Sequence, residues 1–261
     1  MNLLDPAHSA IAREFRPSPA ELRDRVVLVT GAGSGIGKAV AIAAAQVGAQ
    51  LVLCGRSVRR LEETWQDIKR LGAPDATIAP LDLETALAPQ YEDIAGAIER
   101  RFGRLDGLVH CAAQLGLIAP LAHYDVPTFY KVMHVNVTAA FALTKVLLPS
   151  LERSADASVI FCGSAVGRRG RALWGAYAAS KFAIEGLAQV LADELASSAV
   201  RVNVLNPGRA RTALRRQAYP AENPDRLPEP AELTPAFLWL LSPASRGVTG
   251  RSLDAQPSAG Q

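Results

Sequence analysis

Short apolar runs alternate with longer segments of helical apolar spacing along almost the whole chain. Seven runs are nearly continuous in apolar residues, as buried strands are, at residues 26–30, 51–54, 77–81, 107–111, 158–163, 200–206 and 251–255. The helical segments between them lie at residues 36–47, 57–71, 89–102, 128–153 and 175–197. This alternation predicts parallel β-α-β units whose strands are covered by helices on both faces.

No internal repeat and no long linker divides the 261 residues, so we expect one domain over residues 25–261. Residues 1–24 contain Pro6, Pro17 and Pro19, and we expect a loosely ordered N-terminal arm there. A proline-dense segment follows the sixth strand. Long loops in compact domains are usually functional or mobile, so residues 213–235 are a candidate lid over a substrate.

Composition and charge argue against several classes of protein. The formal net charge is only +3 and aromatic residues make up 6% without interleaving with basic ones, so we expect no nucleic-acid partner. No apolar stretch reaches the ~18 residues of a membrane span, and the N-terminus lacks the apolar segment of a signal peptide. We therefore expect a cytoplasmic protein without a membrane partner.

The three cysteines, Cys54, Cys111 and Cys162, lie in or at the end of strand-like runs. Their odd number and scattered spacing match neither a disulfide framework nor a zinc ligand set. We expect reduced core residues and no bound metal.

A glycine-rich turn joins the first strand to the first long helix. Unpaired N–H groups and the positive end of the helix dipole bind anions at such a turn, and glycines let a pyrophosphate approach the main chain. A P-loop is disfavoured by Ala32 and Ala39, and the GxGxxG frame fails at Ile36. The remaining pattern, TGxxxGxG, predicts a dinucleotide site. Its expected residues are Gly31, Gly33, Ser34, Gly35, Ile36 and Gly37.

The end of the second strand favours NADP(H) over NAD(H). Arg56 stands there, and the first acidic residue after it, Glu62, lies inside the next helix. A guanidinium binds a 2′-phosphate through its planar set of donors, and no acid is placed to bind the ribose hydroxyls instead. The alternative is that Arg56 is a solvated loop residue.

Tyr177 and Lys181 are four residues apart in a helical segment and so lie on one face of it. A nearby ammonium favours the phenolate and should lower a pKa that is normally about 10, which would suit proton transfer near neutral pH. Ser164 ends the fifth strand at the carboxyl edge, where open α/β sheets bind ligands. Alone, the tyrosine–lysine pair is equally typical of helix packing and solubility.

In this order and spacing, these motifs resemble the short-chain dehydrogenase/reductase (SDR) family over residues 24–255. The stretches GRALWGAYAASKFA and TGRSLDAQP resemble its bacterial YciK-like oxidoreductase branch. The resemblance implies a single-domain, Rossmann-type doubly wound fold with a central seven-stranded parallel sheet. It also implies an NADP(H)-dependent oxidoreductase that transfers a hydride between nicotinamide and a carbonyl or secondary alcohol.

The resemblance also implies a role for each matching residue. Tyr177 would be the general acid or base, and Lys181 would bind the nicotinamide ribose and depress the tyrosine pKa. Ser164 would hydrogen-bond the substrate carbonyl, and Asn136 would support a water-mediated proton relay. Taken alone, most of the matching residues could equally be helix caps or turn residues. The other implied cofactor contacts are Asp82, Leu83, Ala112, Pro207, Gly208 and Thr212.

One departure from the family pattern follows the fourth strand. The chain has His110-Cys111-Ala112-Ala113 where the family usually has Asn-Asn-Ala-Gly. Cys111 lacks the donors and acceptor of an asparagine amide, and Ala113 adds a methyl group where the backbone approaches closely. We expect an effect on cofactor affinity or on the adenosine half, and we expect His110 to be a packing residue.

Several predictions concern the substrate and partners. Arginines follow Ser164 and the sixth strand, which predicts an electropositive mouth and an anionic carbonyl substrate; a solvated basic rim is the alternative. An NADP(H)-binding regulator or scaffold is the alternative function. Apolar faces of helices 128–153 and 175–197 predict a homo-oligomer, a dimer or tetramer. The arginines are Arg168, Arg169, Arg171, Arg209, Arg211, Arg215 and Arg216.

Overall fold

The computed structural model of the protein describes residues 4–257. Its centre is an all-parallel, seven-stranded sheet in the order β3-β2-β1-β4-β5-β6-β7, which confirms the predicted fold class. Each strand overlaps one of the predicted apolar runs. The strands are β1 (Val26–Thr30), β2 (Gln50–Gly55), β3 (Thr77–Pro80), β4 (Gly107–His110), β5 (Ala157–Cys162), β6 (Val200–Asn206) and β7 (Ser252–Asp254).

Nine α-helices lie in the described part of the chain, and four of them coincide closely with single predicted segments. The helices are α1 (Pro6–Glu14), α2 (Gly35–Gln46), α3 (Val58–Arg70), α4 (Ala88–Phe102), α5 (Val126–Met133), α6 (Ala139–Glu152), α7 (Gly175–Glu194), α8 (Ala213–Ala218) and α9 (Thr234–Leu241).

Both faces of the sheet are covered, because alternate side chains of a strand point to opposite faces. In β1, Val27 and Val29 pack in one core with α2 and α9. Val26 and Leu28 pack in a second core with α4, α6 and α7. This two-sided burial explains why the strands are continuous in apolar residues.

The chain changes its winding direction beside β1. This strand pairs with β2 on one side and with β4 on the other. The crossovers therefore run in opposite directions from β1, and a crevice opens at the carboxyl ends of β1 and β4.

The predicted helix 128–153 is one unbroken helical stretch with an irregularity in its middle. A five-residue π-helical turn, His134–Thr138, joins α5 to α6. Such turns insert one extra residue into a helix and are frequent at functional sites. Here the turn buries Asn136 together with Val135.

By length and composition, the stretch Val126–Glu152 could cross a bilayer. The sequence expectation that no apolar stretch reaches the length of a membrane span concerns uninterrupted apolar residues, whereas this stretch is apolar only on average. Core helices also pass this test, and the fully buried side chains of Leu143 and Leu147 pack in the second core.

For residues 4–24, the expectation of a loosely ordered N-terminal arm is wrong, while residues 1–3 of that arm lie outside the described residues. Helix α1 packs on α9, and the Ser9 hydroxyl accepts a hydrogen bond from the Asp254 N–H at 3.0 Å. Asp5 caps the helix by accepting from the His8 N–H at 3.0 Å. Pro6 occupies the first turn, where proline does not break a helix, so the proline count was misleading.

Candidate active site

A cavity of about 960 Å³ opens over the crevice at the carboxyl edge of the sheet. Its walls come from the ends of β1, β2, β4, β5 and β6 and from the segments that follow them. The volume lies in the range of pockets that hold a small molecule or cofactor.

The glycine-rich turn forms one end of this cavity, and all six of its predicted residues line it. Gly31 and Gly35 have φ angles of +68° and +54°, which favour glycine. A Cβ on Gly37 would lie 2.5 Å from the Gly31 carbonyl oxygen, so the first turn of α2 can approach the strand only without a side chain. The turn and the N-terminus of α2 fit a pyrophosphate.

Arg56 lines the same end of the cavity, as predicted, together with Ser57 and Arg60. Arg60 lies against the turn, since a Cβ on Gly33 would be 2.9 Å from its Cβ. Sequence reasoning missed Arg60, although its position four residues after Arg56 on a predicted helix could have indicated a shared face.

Ser164, Tyr177 and Lys181 meet at the other end of the cavity. Tyr177 and Lys181 are 8% and 4% exposed, and the lysine Nζ lies 5.5 Å from the centre of the phenol ring. Lys181 Nζ donates a hydrogen bond to the Cys162 carbonyl at 2.7 Å, which ties α7 to the end of β5. The predicted trio is thus assembled by one strand end and one helix face.

The expected lowering of the Tyr177 pKa is wrong in this structure. Burial raises the pKa of the phenol above its ordinary value, Cys162 raises it further, and only the contact with Ser164 lowers it. Burial lowers the pKa of Lys181, while Cys162, Cys111 and Glu185 raise it. Desolvation of the phenol therefore outweighs the lowering by its contact with Ser164.

Asn136 lies behind the main cavity rather than in its wall. Its Oδ1 accepts from the Gln114 N–H at 2.7 Å, and its Nδ2 donates to the Gln114 carbonyl and to Ser180 Oγ, both at 2.9 Å. Ser180 Oγ in turn donates to the Tyr177 carbonyl at 2.7 Å. Asn136 thus fastens the loop after β4 to the helix that carries Tyr177.

The atypical residues after β4 have distinct surroundings. His110 stacks on Phe161 with ring centres 4.8 Å apart, and its Nε2 lies 2.8 Å from Thr144 Oγ1. Burial lowers the pKa of His110 to about 3, so the ring is neutral and packs in the core as predicted. Cys111 Sγ lies 3.3 Å from Cys162 Sγ.

Ala112 holds the loop after β4 against the glycine turn. Its N–H donates to Thr30 Oγ1 at 3.1 Å. Asp82, Leu83 and Ala112 all line the cavity, as predicted, beside Glu84, which the sequence analysis did not single out. Glu84 accepts a hydrogen bond from Gln114 Nε2 at 2.8 Å.

The loop after β6 closes the cavity opposite the glycine turn. Pro207, Gly208 and Thr212 line it, as predicted, and Gly208 has a φ of +76°. Thr212 caps α8 by accepting from the Arg215 N–H at 3.1 Å. The structure thus brings every predicted cofactor residue to the cavity, and every predicted catalytic residue except Asn136.

Hydrogen bonds connect this loop to the last strand. Asn206 Oδ1 accepts from the Gly208 N–H at 3.1 Å, and Asn206 Nδ2 donates to Asp254 Oδ1 at 2.8 Å. Arg168 Nη1 donates to the same carboxylate oxygen at 2.7 Å. The segment after Ser164 and the loop after β6 are therefore held by one carboxylate on β7.

An apolar, aromatic cluster lies beside Tyr177. Trp174 has its ring centre 5.7 Å from that of Tyr219 and 5.8 Å from that of Tyr177. Leu115 and Ala178 are buried in the same cluster, and Leu214 and Ala218 of the expected lid pack against it.

Several of the arginines that are expected to make the mouth of the cavity electropositive form ion pairs with acidic residues. Arg215 pairs with Glu222 at 2.6 Å, and Arg211 pairs with Glu229 at 2.8 Å. Arg168 is held by Asp254, as described above. Acidic residues of the lid segment and of β7 thus reduce the positive electrostatic potential that is expected at the mouth of the cavity.

The comparisons with known proteins agree with this geometry. The short chain dehydrogenase family profile matches residues 25–223. The oxidoreductase YciK of Escherichia coli is 44% identical over 243 residues, which cover 93% of this chain and 96% of that protein. A short-chain dehydrogenase structure from Pseudomonas syringae is 51% identical with a TM-score of 0.92, covering 93% of this chain and 99% of that one.

A short-chain dehydrogenase structure from E. coli CFT073, complexed with NADPH, is 45% identical with a TM-score of 0.89. It covers 92% of this chain and 100% of that one. The chain belongs to the short-chain dehydrogenase/reductase family and is similar along nearly its whole length to YciK-type oxidoreductases.

Proposed function

We propose that the protein is an NADP(H)-dependent oxidoreductase acting on a carbonyl or secondary alcohol. The observation that carries this proposal is one cavity with the glycine-rich turn and Arg56 at one end and Ser164, Tyr177 and Lys181 at the other. When bound, the cofactor supplies or accepts the hydride at the substrate carbon. The protein's own residues hold the two reactants and move the proton.

The pyrophosphate and the 2′-phosphorylated ribose of the cofactor would bind at the end of the cavity that the glycine-rich turn forms. N–H groups of the turn and of the start of α2 would bind the pyrophosphate. Arg56 and Arg60 would bind the 2′-phosphate, with the Ser57 hydroxyl beside them. The NADPH and NADP complexes of two relatives support this assignment.

At the other end, Tyr177 and Ser164 would act on the substrate oxygen. The Ser164 hydroxyl would donate to the carbonyl oxygen and stabilise the charge that develops there. Burial raises the pKa of Tyr177, so its phenol carries a proton at neutral pH, and it would donate that proton to the substrate oxygen as the general acid of a reduction. Lys181 would hold the ribose while its bond to the Cys162 carbonyl fixes its position.

The substrate would pack on Trp174, Tyr219 and Leu214 of this cluster, which line the cavity. This surface favours an apolar, uncharged carbonyl compound over the anionic one expected from the arginine count, since Arg211 and Arg215 already have acidic partners. Residues 213–235 supply part of this surface and would form the lid. Turnover of matched carbonyls with and without a carboxylate, at low and high ionic strength, tests this choice.

Cofactor choice is tested by fluorescence titration with NADPH and NADH. We expect NADPH to bind at least about tenfold more tightly, and Arg56→Ala to remove most of that difference, because a charge-assisted hydrogen bond contributes about 1.5–3 kcal/mol. Equal affinity of the unaltered protein for the two cofactors would refute the assignment.

Catalysis is tested with Tyr177→Phe. We expect turnover of a carbonyl panel with NADPH to be lost while NADPH binding is retained. Unchanged turnover would refute the role of the phenol. NADPH binding without turnover of any carbonyl by the unaltered protein would instead favour the regulator or scaffold function.

Association and location also remain proposals. Phe141 on α6 and Phe182 and Val190 on α7 are about half exposed, which supports a homo-oligomer through these helices. A cytoplasmic location and the absence of nucleic-acid and membrane partners stay predictions from the sequence.

A further inference from the structure

Two thiols lie side by side in the wall of the cavity. In the parallel pair of β4 and β5, His110 is opposite Phe161, so the next residues on the two chains, Cys111 and Cys162, are also neighbours. Their sulfur atoms are 3.3 Å apart, and both residues line the cavity. Cys111 occupies a position where the family usually has asparagine, so this pair departs from the usual family pattern.

The surroundings make the two sulfurs unequal. A hydrogen bond from Cys111 and the nearby charge of Lys181 lower the pKa of Cys162, while the same sulfur contact raises the pKa of Cys111. Cys162 is therefore the thiol of the pair that loses its proton more readily. A thiolate beside an ammonium and a second thiol is the arrangement that reacts with oxidants.

Cys54 provides an internal comparison. It is fully buried in β2, and burial raises its pKa to about 12. Among the described residues, the one contact between cysteine sulfurs is that of Cys111 with Cys162, and Cys54 takes no part in it. Cys54 is thus expected to be inert under conditions in which the pair reacts.

We propose that Cys111 and Cys162 form an oxidant-reactive dithiol, a modification site for hydroperoxides within the cavity. The Cys162 thiolate attacks the peroxide, the O–O bond breaks, and a sulfenic acid forms as hydroxide or alkoxide leaves. The Cys111 thiol then attacks that sulfur, the S–OH bond breaks, and a disulfide and water are produced. The two cysteines are oxidised by two electrons, and the peroxide is reduced by two.

The backbone at both cysteines is connected to residues of the proposed cofactor site. The Cys162 carbonyl holds Lys181 Nζ, and Cys111 precedes Ala112, whose backbone packs on Gly31. Since an S–S bond is about 2.05 Å long, the sulfurs must approach by about 1.3 Å, and the two backbones must shift or the side chains rotate. We therefore expect weaker NADPH binding by the oxidised protein; this consequence rests on the proposed cofactor, whereas disulfide formation does not.

The test is hydrogen peroxide treatment of the full chain, followed by intact mass measurement and peptide mapping. The unaltered protein and Cys54→Ser should each lose two hydrogens and yield one peptide pair that joins Cys111 to Cys162, reversed by dithiothreitol. Cys111→Ser and Cys162→Ser should form no such link. Circular dichroism melting of each variant establishes that it is folded, and Cys111→Asn provides a second variant at the family-typical residue.

Retention of three free thiols by the unaltered protein, or a link that involves Cys54, would overturn the proposal. A second arm adds NADP⁺ at about 100 times its Kd, where about 1% of the protein is free, so oxidation should slow by up to about 100-fold. Oxidation at an unchanged rate in an NADP⁺-saturated protein would overturn the placement of the dithiol in the cofactor site. Absence of NADP⁺ binding would instead count against the proposed function and leave the disulfide result standing.

Discussion

Replacing Asn136 with alanine distinguishes a positioning role from the proton relay that the family resemblance implies. The change removes three hydrogen bonds, two to the Gln114 backbone and one to Ser180 Oγ. At about 1 kcal/mol for each bond, we expect a loss of about 3 kcal/mol in the free energy of unfolding. A chain of this size loses about 2–4 °C in Tm for each kcal/mol, so Tm should fall by about 6–12 °C.

The assay combines thermal melting with steady-state kinetics. Asn223→Ala is the matched control, because Asn223 is exposed and its side chain caps only a short turn, by accepting from the Asp225 N–H at 2.9 Å. The control should change stability by less than about 1 kcal/mol. If Asn136→Ala lowers kcat while Tm stays within about 2 °C of the unaltered protein, the loop-fastening role is refuted and a relay role is favoured.

Three further predictions concern other parts of the molecule. Gly37→Ala should weaken NADPH binding at least about tenfold by titration, since the new Cβ would meet the Gly31 carbonyl at 2.5 Å; unchanged affinity would show that the turn is not the phosphate site. His110 has a folded-state pKa of about 3 and an unfolded pKa near 6.5, so the unfolded state binds the extra proton and stability falls as pH drops below about 6.5. Urea unfolding at pH 6.5 and 5.0 should show an additional loss of about 2 kcal/mol that His110→Gln lacks, and an equal pH dependence of the two proteins would contradict the buried neutral ring. Phe182→Glu should shift the protein from oligomer to monomer in light scattering, whereas an unchanged mass would place the interface elsewhere.

The sheet could be predicted because its strands are buried on both faces, which leaves a continuous apolar pattern in the sequence. The glycine-rich turn, Arg56 and Ser164 could be predicted because they follow strand ends, and parallel strands bring all such ends to one edge. Tyr177 and Lys181 could be predicted as neighbours on one helix face. The other site residues follow from the family resemblance. Helix α1 could not be predicted from the proline content of residues 1–24. Pro6 lies in the first turn of this helix, where proline is compatible with helical structure. The π-helical turn was missed because apolar periodicity is only approximate over five residues.

Other features depend on distances that spacing along the chain does not give. The contact between Cys111 and Cys162 joins residues 51 apart and follows from the register of β4 and β5. The direction of the Tyr177 pKa shift depends on how deeply the phenol is buried and on its neighbours Cys162 and Ser164. Acidic partners for Arg211 and Arg215 arise from how the lid segment folds back on itself.

The carboxylate of Asp254 has a consequence for biosynthesis. Strand β7 leaves the ribosome after every other element described, yet Asp254 holds both Arg168 and Asn206. A nascent chain that ends before residue 252 can pair β1 to β6, but the loops after β5 and β6 then lack their shared anchor. The cofactor cavity is therefore expected to reach its final shape only once β7 has been synthesised and has joined the sheet.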